Sequence, residues 1–172
     1  MLERSFGKFI LHLWNKQTQR NDIIYIIGDF FDCHSDTNED WKKCFHFISK
    51  LKAKVILIMG NNEQRIVKYF FNNNYEDFRN YCIKNGFYDI KQNDKVVVDN
   101  KEFFLTHKPI DCDKNSLNLF GHCHRGMGLY KSFGFNIGCD LNHFRLYSEN
   151  DIKHLLYTKS TYWDKDENLK LI

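Results

Sequence analysis

The chain of 172 residues, 42% hydrophobic and 16% aromatic, has the length of one compact domain and the apolar material for a sizeable core. Its formal charge of +3 comes from Lys and Arg interspersed with acidic residues, which excludes the basic block of a dedicated nucleic-acid binder and leaves nucleic acid only as a substrate. No apolar stretch reaches the roughly 18–20 residues that cross a bilayer, Met1-Leu2-Glu3-Arg4 does not open a signal peptide, and the six cysteines form no Cys-x-x-Cys pair, so a cytoplasmic chain with reduced thiols and no membrane partner is expected.

Phe6, Phe9, Ile10, Leu13 and Trp14 recur at helical spacing and predict an opening amphipathic helix ending near Gln19-Arg20-Asn21. Ile23-Ile24-Tyr25-Ile26-Ile27 is a continuous β-branched and aromatic run, the pattern of a strand covered on both faces, and Gly28 lets the chain turn so that Asp29 projects from its end. Asn38 is positioned to cap a helix that buries Trp41, Cys44, Phe45, Ile48 and Leu51. A second buried strand, Val55 to Met59, ends in Gly60. Helices are predicted over Gln64 to Phe71 and Tyr75 to Lys84, with Gly86 at the C-terminal cap.

Beyond Gly86 the apolar period falls from about 3.6 to 2. Phe87 to Ile90, Lys95 to Val98 and Glu102 to Leu105 predict short strands, with Asp99-Asn100 a tight-turn pair between the last two. Leu117 to Phe120 and Phe133 to Ile137 continue what reads as antiparallel sheet. Ser148-Glu149-Asn150-Asp151 has capping-box spacing and opens a last helix through Leu156, followed by a polar tail from Asp164 expected to fray.

Four predicted strands are followed at their carboxyl ends by metal-ligating side chains: Asp29 after Gly28, Asn61 after Gly60, His107 after Phe103-Phe104-Leu105-Thr106, and His122 and His124 after Gly121. Carboxyl ends of strands are where α/β proteins gather ligands, so together they read as one metal-dependent hydrolase site. A lone Gly-Asp reads more simply as a strand-end turn, and a lone Asn as a turn former. Histidines at i and i+2 on an extended segment point to opposite faces, so the chain after Gly121 must bend if His122 and His124 are to share a site. Cys123 between them reads as a small buried thiol, and a structural zinc site built from these three residues fails on spacing.

In chain order, Gly28-Asp29, Gly60-Asn61-Asn62-Glu63, His107 and Gly121-His122-Cys123-His124 resemble the motifs of the calcineurin-like metallophosphoesterase superfamily, over about Asp22 to Asp151. Asn136-Ile137-Gly138-Cys139-Asp140-Leu141-Asn142 is similar to the Asn-Val-Gly-x-Asp-x-Asn segment of its small bacterial and phage members. The resemblance implies an α/β fold, an αββα sandwich of two mixed sheets flanked by helices, as a single domain over residues 1–172. It implies hydrolysis of a phosphomonoester or phosphodiester by a hydroxide bridging two divalent ions, with Mn²⁺, Fe, Zn²⁺ or Ni²⁺ as suitable metals for a mixed nitrogen and oxygen donor set.

By this correspondence Asp29 bridges the ions with its two oxygens, Asn61, His107 and His122 complete one site, and His124 reaches the other. Asp29 and Asn62 are the catalytic candidates. Arg65 and Arg125 are candidates to hold phosphate oxygens, and Asp140 and Asn142 to support a ligating histidine. The family's opening Asp-x-His strand has no counterpart before Asp29, for which a lost N-terminal strand is the expected account and divergence the alternative. Asn62 stands where the family commonly has a proton-donating His, and His34 and His143 are the stand-ins the sequence offers. These departures define a rival reading: a degenerate fold that serves as a protein-binding scaffold, with an edge beside Ile23 to Ile27 that would favour a homodimer.

Overall fold

A computed structural model describes residues 2–124, 129–130 and 134–163 of the chain, which divides into two compact units, residues 1–93 and 94–172. The first unit opens with helix α1 (Leu2–Gln17), strand β1 (Ile23–Ile27), a 3₁₀ turn (Asp40–Cys44) running into the short helix α2 (Phe45–Ile48), and strand β2 (Lys54–Ile58). Helices α3 (Asn61–Phe70) and α4 (Tyr75–Lys84) and strand β3 (Asp89–Lys91) complete it. Its three strands form a wholly parallel sheet in the order β1-β2-β3, with Ile23 paired to Lys54 and Ile56 to Asp89.

The run from Val55 to Ile58 is buried at every position, as a strand covered on both faces requires, whereas in β1 only Ile24 is fully buried. The equally apolar sequence of β1 therefore overstated its cover, because this strand lies at one end of the sheet order. The core beneath is aromatic: Phe31, Trp41, Phe45, Phe78 and Phe87 are all buried, and Phe31 packs edge-on against Trp41 and Phe78 at 5.6 and 6.1 Å between centroids. Each such ring contributes about 1.5–3 kcal/mol on burial. Phe31 thereby anchors the segment that begins at Asp29.

Helix α1 is fastened by Asn15, whose side chain donates to the Lys50 carbonyl at 2.9 Å and accepts the Lys52 N–H at 2.8 Å, and by Trp14 set edge-on to Phe47. Asn38 does not cap a helix as predicted. Its side-chain oxygen accepts the Asp40 N–H at 2.8 Å, closing a local turn, and the chain continues as 3₁₀ before a single α-turn. Asn and Asp side chains favour such local bonds over a helix start. Gly86 takes φ +110° just beyond α4, as a glycine after a helix end should.

In the second unit, strands β4 (Asp94–Val98), β5 (Lys101–Thr106), β6 (Leu117–Phe120), β7 (Leu129–Tyr130) and β8 (Gly134–Asn136) form a sheet in the order β4-β5-β6-β8-β7. Helix α5 (Glu149–Thr158) follows and runs into a π-helical turn, Lys159–Trp163. The sheet is mixed rather than antiparallel: β4 and β5 form a hairpin through Asp99 and Asn100, both at positive φ, but β5, β6 and β8 run parallel. The predicted strand near Phe87 likewise belongs to the first, parallel sheet. Phe103, Leu105, Phe120 and Phe135 make the core with Ile152 and Leu156 of α5. Ser148 and Asp151 form the predicted capping box, each accepting the other's backbone N–H, at 3.2 and 2.7 Å. The tail from Asp164 and residue Phe133 lie outside the described residues.

Candidate functional site

In the first unit the site segments meet at the start of α3. The chain leaves β1 through Gly28 at φ +80° and Asp29 at φ +52°, a left-handed bend that turns the Asp29 carboxylate toward the helix. Its Oδ1 accepts the backbone N–H of Asn62 at 2.9 Å, the second residue of α3. Gly60, at the N-cap, has no side chain to satisfy the helix's first amides, so Asp29 does this from a distant part of the chain. The helix start carries partial positive charge, which attracts an acidic side chain placed there. A carboxylate has about four lone-pair sites, so this bond is compatible with metal ligation by the same group.

Glu63 holds the bend from below. It is wholly buried; its Oε2 accepts the N–H groups of Asp29 and Gly60 at 2.9 and 2.7 Å, and its Oε1 those of Phe30 and Phe31 at 3.0 and 3.1 Å. Burial pushes its pKa up, opposed by these amides. The contacts leave no room at Gly60, where a Cβ would lie 2.4 Å from the Asp29 nitrogen and 2.5 Å from its Oδ1. Gly60 is therefore required by close approach. Helix α3 begins at Asn61, three residues before the predicted start at Gln64, because its caps come from side chains remote in sequence or already inside the helix. Asn61 thus sits in the helix's first turn. The Asn62 side-chain oxygen accepts a bond from Nη1 of the exposed Arg65 at 3.2 Å.

In the second unit, His107 directly follows β5 and is buried, and His122 follows Gly121 beyond the parallel neighbour β6. The Gly121 N–H donates to the His107 carbonyl at 3.1 Å, which ties the two strand ends together. His107 Nε2 and His122 Nδ1 are 3.1 Å apart. Two imidazole nitrogens on one ion at about 2.0–2.1 Å from it stand roughly 3.0–3.4 Å apart, so this pair has the spacing of shared ligands.

The bend expected after Gly121 is present. His122 has φ +67°, and the Cys123 N–H reaches back to the Gly121 carbonyl at 2.7 Å, closing a three-residue turn around His122. This is the positive-φ form of the γ-turn, rare for a residue with a side chain and carrying about 1–3 kcal/mol of strain. His124, exposed, has its Nδ1 3.6 Å from Asp140 Oδ2. Asn142 bonds instead to the carbonyls of Arg145 and Leu146 at 3.2 and 3.3 Å, shaping a turn. Arg125 lies outside the described residues. His34 forms a 2.7 Å pair with Asp32, both largely in solvent.

The role of Glu63 is not evident from the motif it belongs to, although its spacing from Gly60 is that of the second arm of a capping box. Its partners lie up to 34 residues away.

Comparison with known proteins gives the same family that the motifs resemble. The model of the calcineurin-like phosphoesterase family matches residues 4–165, across both units. No curated protein matches the chain significantly. Among solved structures, the crystal structure of a protein of unknown function, AQ665 from Aquifex aeolicus, is similar in fold with a TM-score of 0.60 at 20% identity, over 87% of this chain and 84% of that one.

Proposed function

Because the chain belongs to the calcineurin-like phosphoesterase family, we propose that it hydrolyses a phosphomonoester or phosphodiester, using one or two divalent ions held by Asp29, Asn61, His107, His122 and His124. The observation that carries this reading is the pair of imidazole nitrogens on His107 and His122, 3.1 Å apart, one of them on a strained turn. Strain at a polar residue is maintained where the residue's direction matters. Bound divalent ions supply Lewis acidity toward phosphoryl oxygens and bring the pKa of water near neutrality. A donor set of imidazole nitrogens, a carboxylate and an amide oxygen suits Mn²⁺, Fe, Zn²⁺ or Ni²⁺.

The chain's own residues do the rest. Asp29 supplies negative charge, fixed in direction by the Asn62 amide and by Glu63 beneath its backbone. Buried His107 would supply its Nε2 as a ligand beside Nδ1 of His122. Asn62, with its oxygen engaged by Arg65, retains N–H donors for a phosphoryl oxygen but cannot transfer a proton near pH 7. Substrates whose leaving group departs without a proton are therefore favoured. Six cysteines without a disulfide suit a cytoplasmic setting.

The test is release of p-nitrophenol from bis-p-nitrophenyl phosphate and from p-nitrophenyl phosphate by the Mn²⁺-loaded protein. Turnover that falls at least about 100-fold in Asp29→Asn and His122→Ala supports the proposal. No turnover with either ester, under any of the four metals, overturns it in favour of the scaffold reading.

A further inference from the structure

The end of β8 and the segment after it approach the His122-Cys123-His124 turn at two points, one of them a bond from Asn136, to which the hydrolytic reading assigns no role. Asn136, the last residue of β8, is 1% exposed. Its Nδ2 donates to the Cys123 carbonyl at 2.8 Å, and its Oδ1 accepts the Gly138 N–H at 3.0 Å. Four residues on, Asp140 stands 3.6 Å from the His124 ring. Between them, a Cβ on Gly138 would lie 2.9 Å from Asp140 Oδ1 and 3.3 Å from Asn136 Oδ1, so the glycine lets both side chains close in. The turn is thus held at its central carbonyl, with Asp140 near its second histidine.

We propose that Asn136 is a positioning residue for metal ligation: by bonding the Cys123 carbonyl it keeps His122 in its left-handed conformation, aimed at the ion that His107 also binds. This rests on the metal reading of His107 and His122. The argument is one of alternatives. A residue with a β-carbon gains by relaxing from φ +67° to an extended φ, and that relaxation swings the His122 ring away from His107 and rotates the following peptide. The rotation would break the bond from Asn136 to the Cys123 carbonyl. Asn136 is buried while Cys123 is half-exposed, so breaking that bond leaves the Asn136 Nδ2 donor without its partner inside the protein. A buried amide thus offsets the strain of the turn. Only a side chain with both a donor and an acceptor fits, since it must give to Cys123 and receive from Gly138 at once.

Asn118 is the natural control. It is buried in the neighbouring strand β6 and equally engaged, giving to the Asp113 and Ser116 carbonyls at 2.9 and 2.8 Å and receiving the Asp113 N–H at 2.9 Å. These bonds fasten the loop before β6 and not the histidine turn.

The experiment titrates Co²⁺ into the full chain and its Asn136→Ala, Asn136→Asp and Asn118→Ala variants, following the visible ligand-field absorption. Hydrogen exchange of the Cys123 amide is measured without metal. Asn136→Asp keeps the acceptor for Gly138 and loses the donor to Cys123. Both Asn136 variants should bind Co²⁺ about 10–100-fold more weakly with an altered spectrum. They should also exchange the Cys123 amide faster. Asn118→Ala should unfold at lower denaturant yet keep the wild-type spectrum and affinity. Wild-type affinity, spectrum and exchange in both Asn136 variants, or equal losses in Asn118→Ala, would overturn the assignment. Absence of Co²⁺ binding by the wild-type chain would overturn the metal reading itself and the assignment with it.

Discussion

One carboxylate oxygen of Asp29 accepts the backbone N–H of Asn62 at 2.9 Å, so the candidate bridging ligand and the candidate leaving-group residue are joined through the main chain. The Asn62 side chain can therefore be exchanged without untying Asp29, which separates the chemistry of position 62 from the architecture around it.

From this separation, Asn62→His should restore a proton donor beside Asp29. It should raise kcat for an alkyl phosphate ester, whose leaving group needs a proton, by about 100-fold, the low end of what general acids contribute. The rate with p-nitrophenyl esters should change little. Steady-state kinetics on the two substrate types, with Mn²⁺ held constant, reads the difference.

Glu63→Gln tests the clasp under the Asp29 bend. Each Glu63 oxygen receives two N–H groups, so an amide must turn its own NH₂ toward one of these pairs. Two bonds to a charged acceptor are lost, with a destabilisation of about 3 kcal/mol or more. Urea unfolding measures it, and a loss below about 1 kcal/mol would contradict the clasp.

Gly134→Ala should destabilise the second unit. A Cβ there would meet the Asn118 carbonyl oxygen at 2.2 Å, and a backbone atom inside a sheet cannot swing aside as a flexible side chain can. A cost of about 2 kcal/mol or more follows from overpacking of this kind. A denaturation midpoint equal to the wild type's would refute the close approach of β8 to β6.

The α5 cap carries a pH signature. The Ser148 hydroxyl, donating to Asp151, holds this carboxyl below its usual range against a smaller opposing effect of burial. A lowered folded-state pKa means that the contribution is complete above the ordinary aspartate range and is lost as pH falls through the folded value. Ser148→Ala should therefore cost about 1 kcal/mol at pH 7 and progressively less below about pH 4. A penalty that stays constant or grows on acidification would contradict the assignment.

Where local signals suffice, sequence and structure agree closely. Strand β1 spans Ile23–Ile27 and helix α4 spans Tyr75–Lys84, the residues their periodicity and flanking turn formers indicate. The disagreements share a long-range cause. The start of α3 depends on a carboxylate 33 positions from Asn62, and a capping signal at that distance leaves no local pattern. The direction of β6 depends on how the chain returns after His107: a period of two marks a strand and not its direction, so the sequence pattern does not distinguish a parallel neighbour of β5 from an antiparallel one.

The candidate ligands were legible residue by residue as strand-end side chains, for the same reason in reverse. Asp29, His107 and His122 follow strand runs, and a strand's end can be located from its own apolar pattern. The residues that hold them were not. Beyond its capping-box spacing from Gly60, Glu63 bonds backbone N–H groups 32–34 residues away, and Asn136 bonds a carbonyl 13 residues away, distances at which no local pattern marks the partner.

The most direct test of the proposed metal ligation by Asp29 and His122 is calorimetric titration of Mn²⁺ into the wild-type chain, Asp29→Ala and His122→Ala. The account predicts that the wild type binds Mn²⁺ and that each variant loses at least about tenfold in affinity. Wild-type Mn²⁺ affinity in either variant would contradict it.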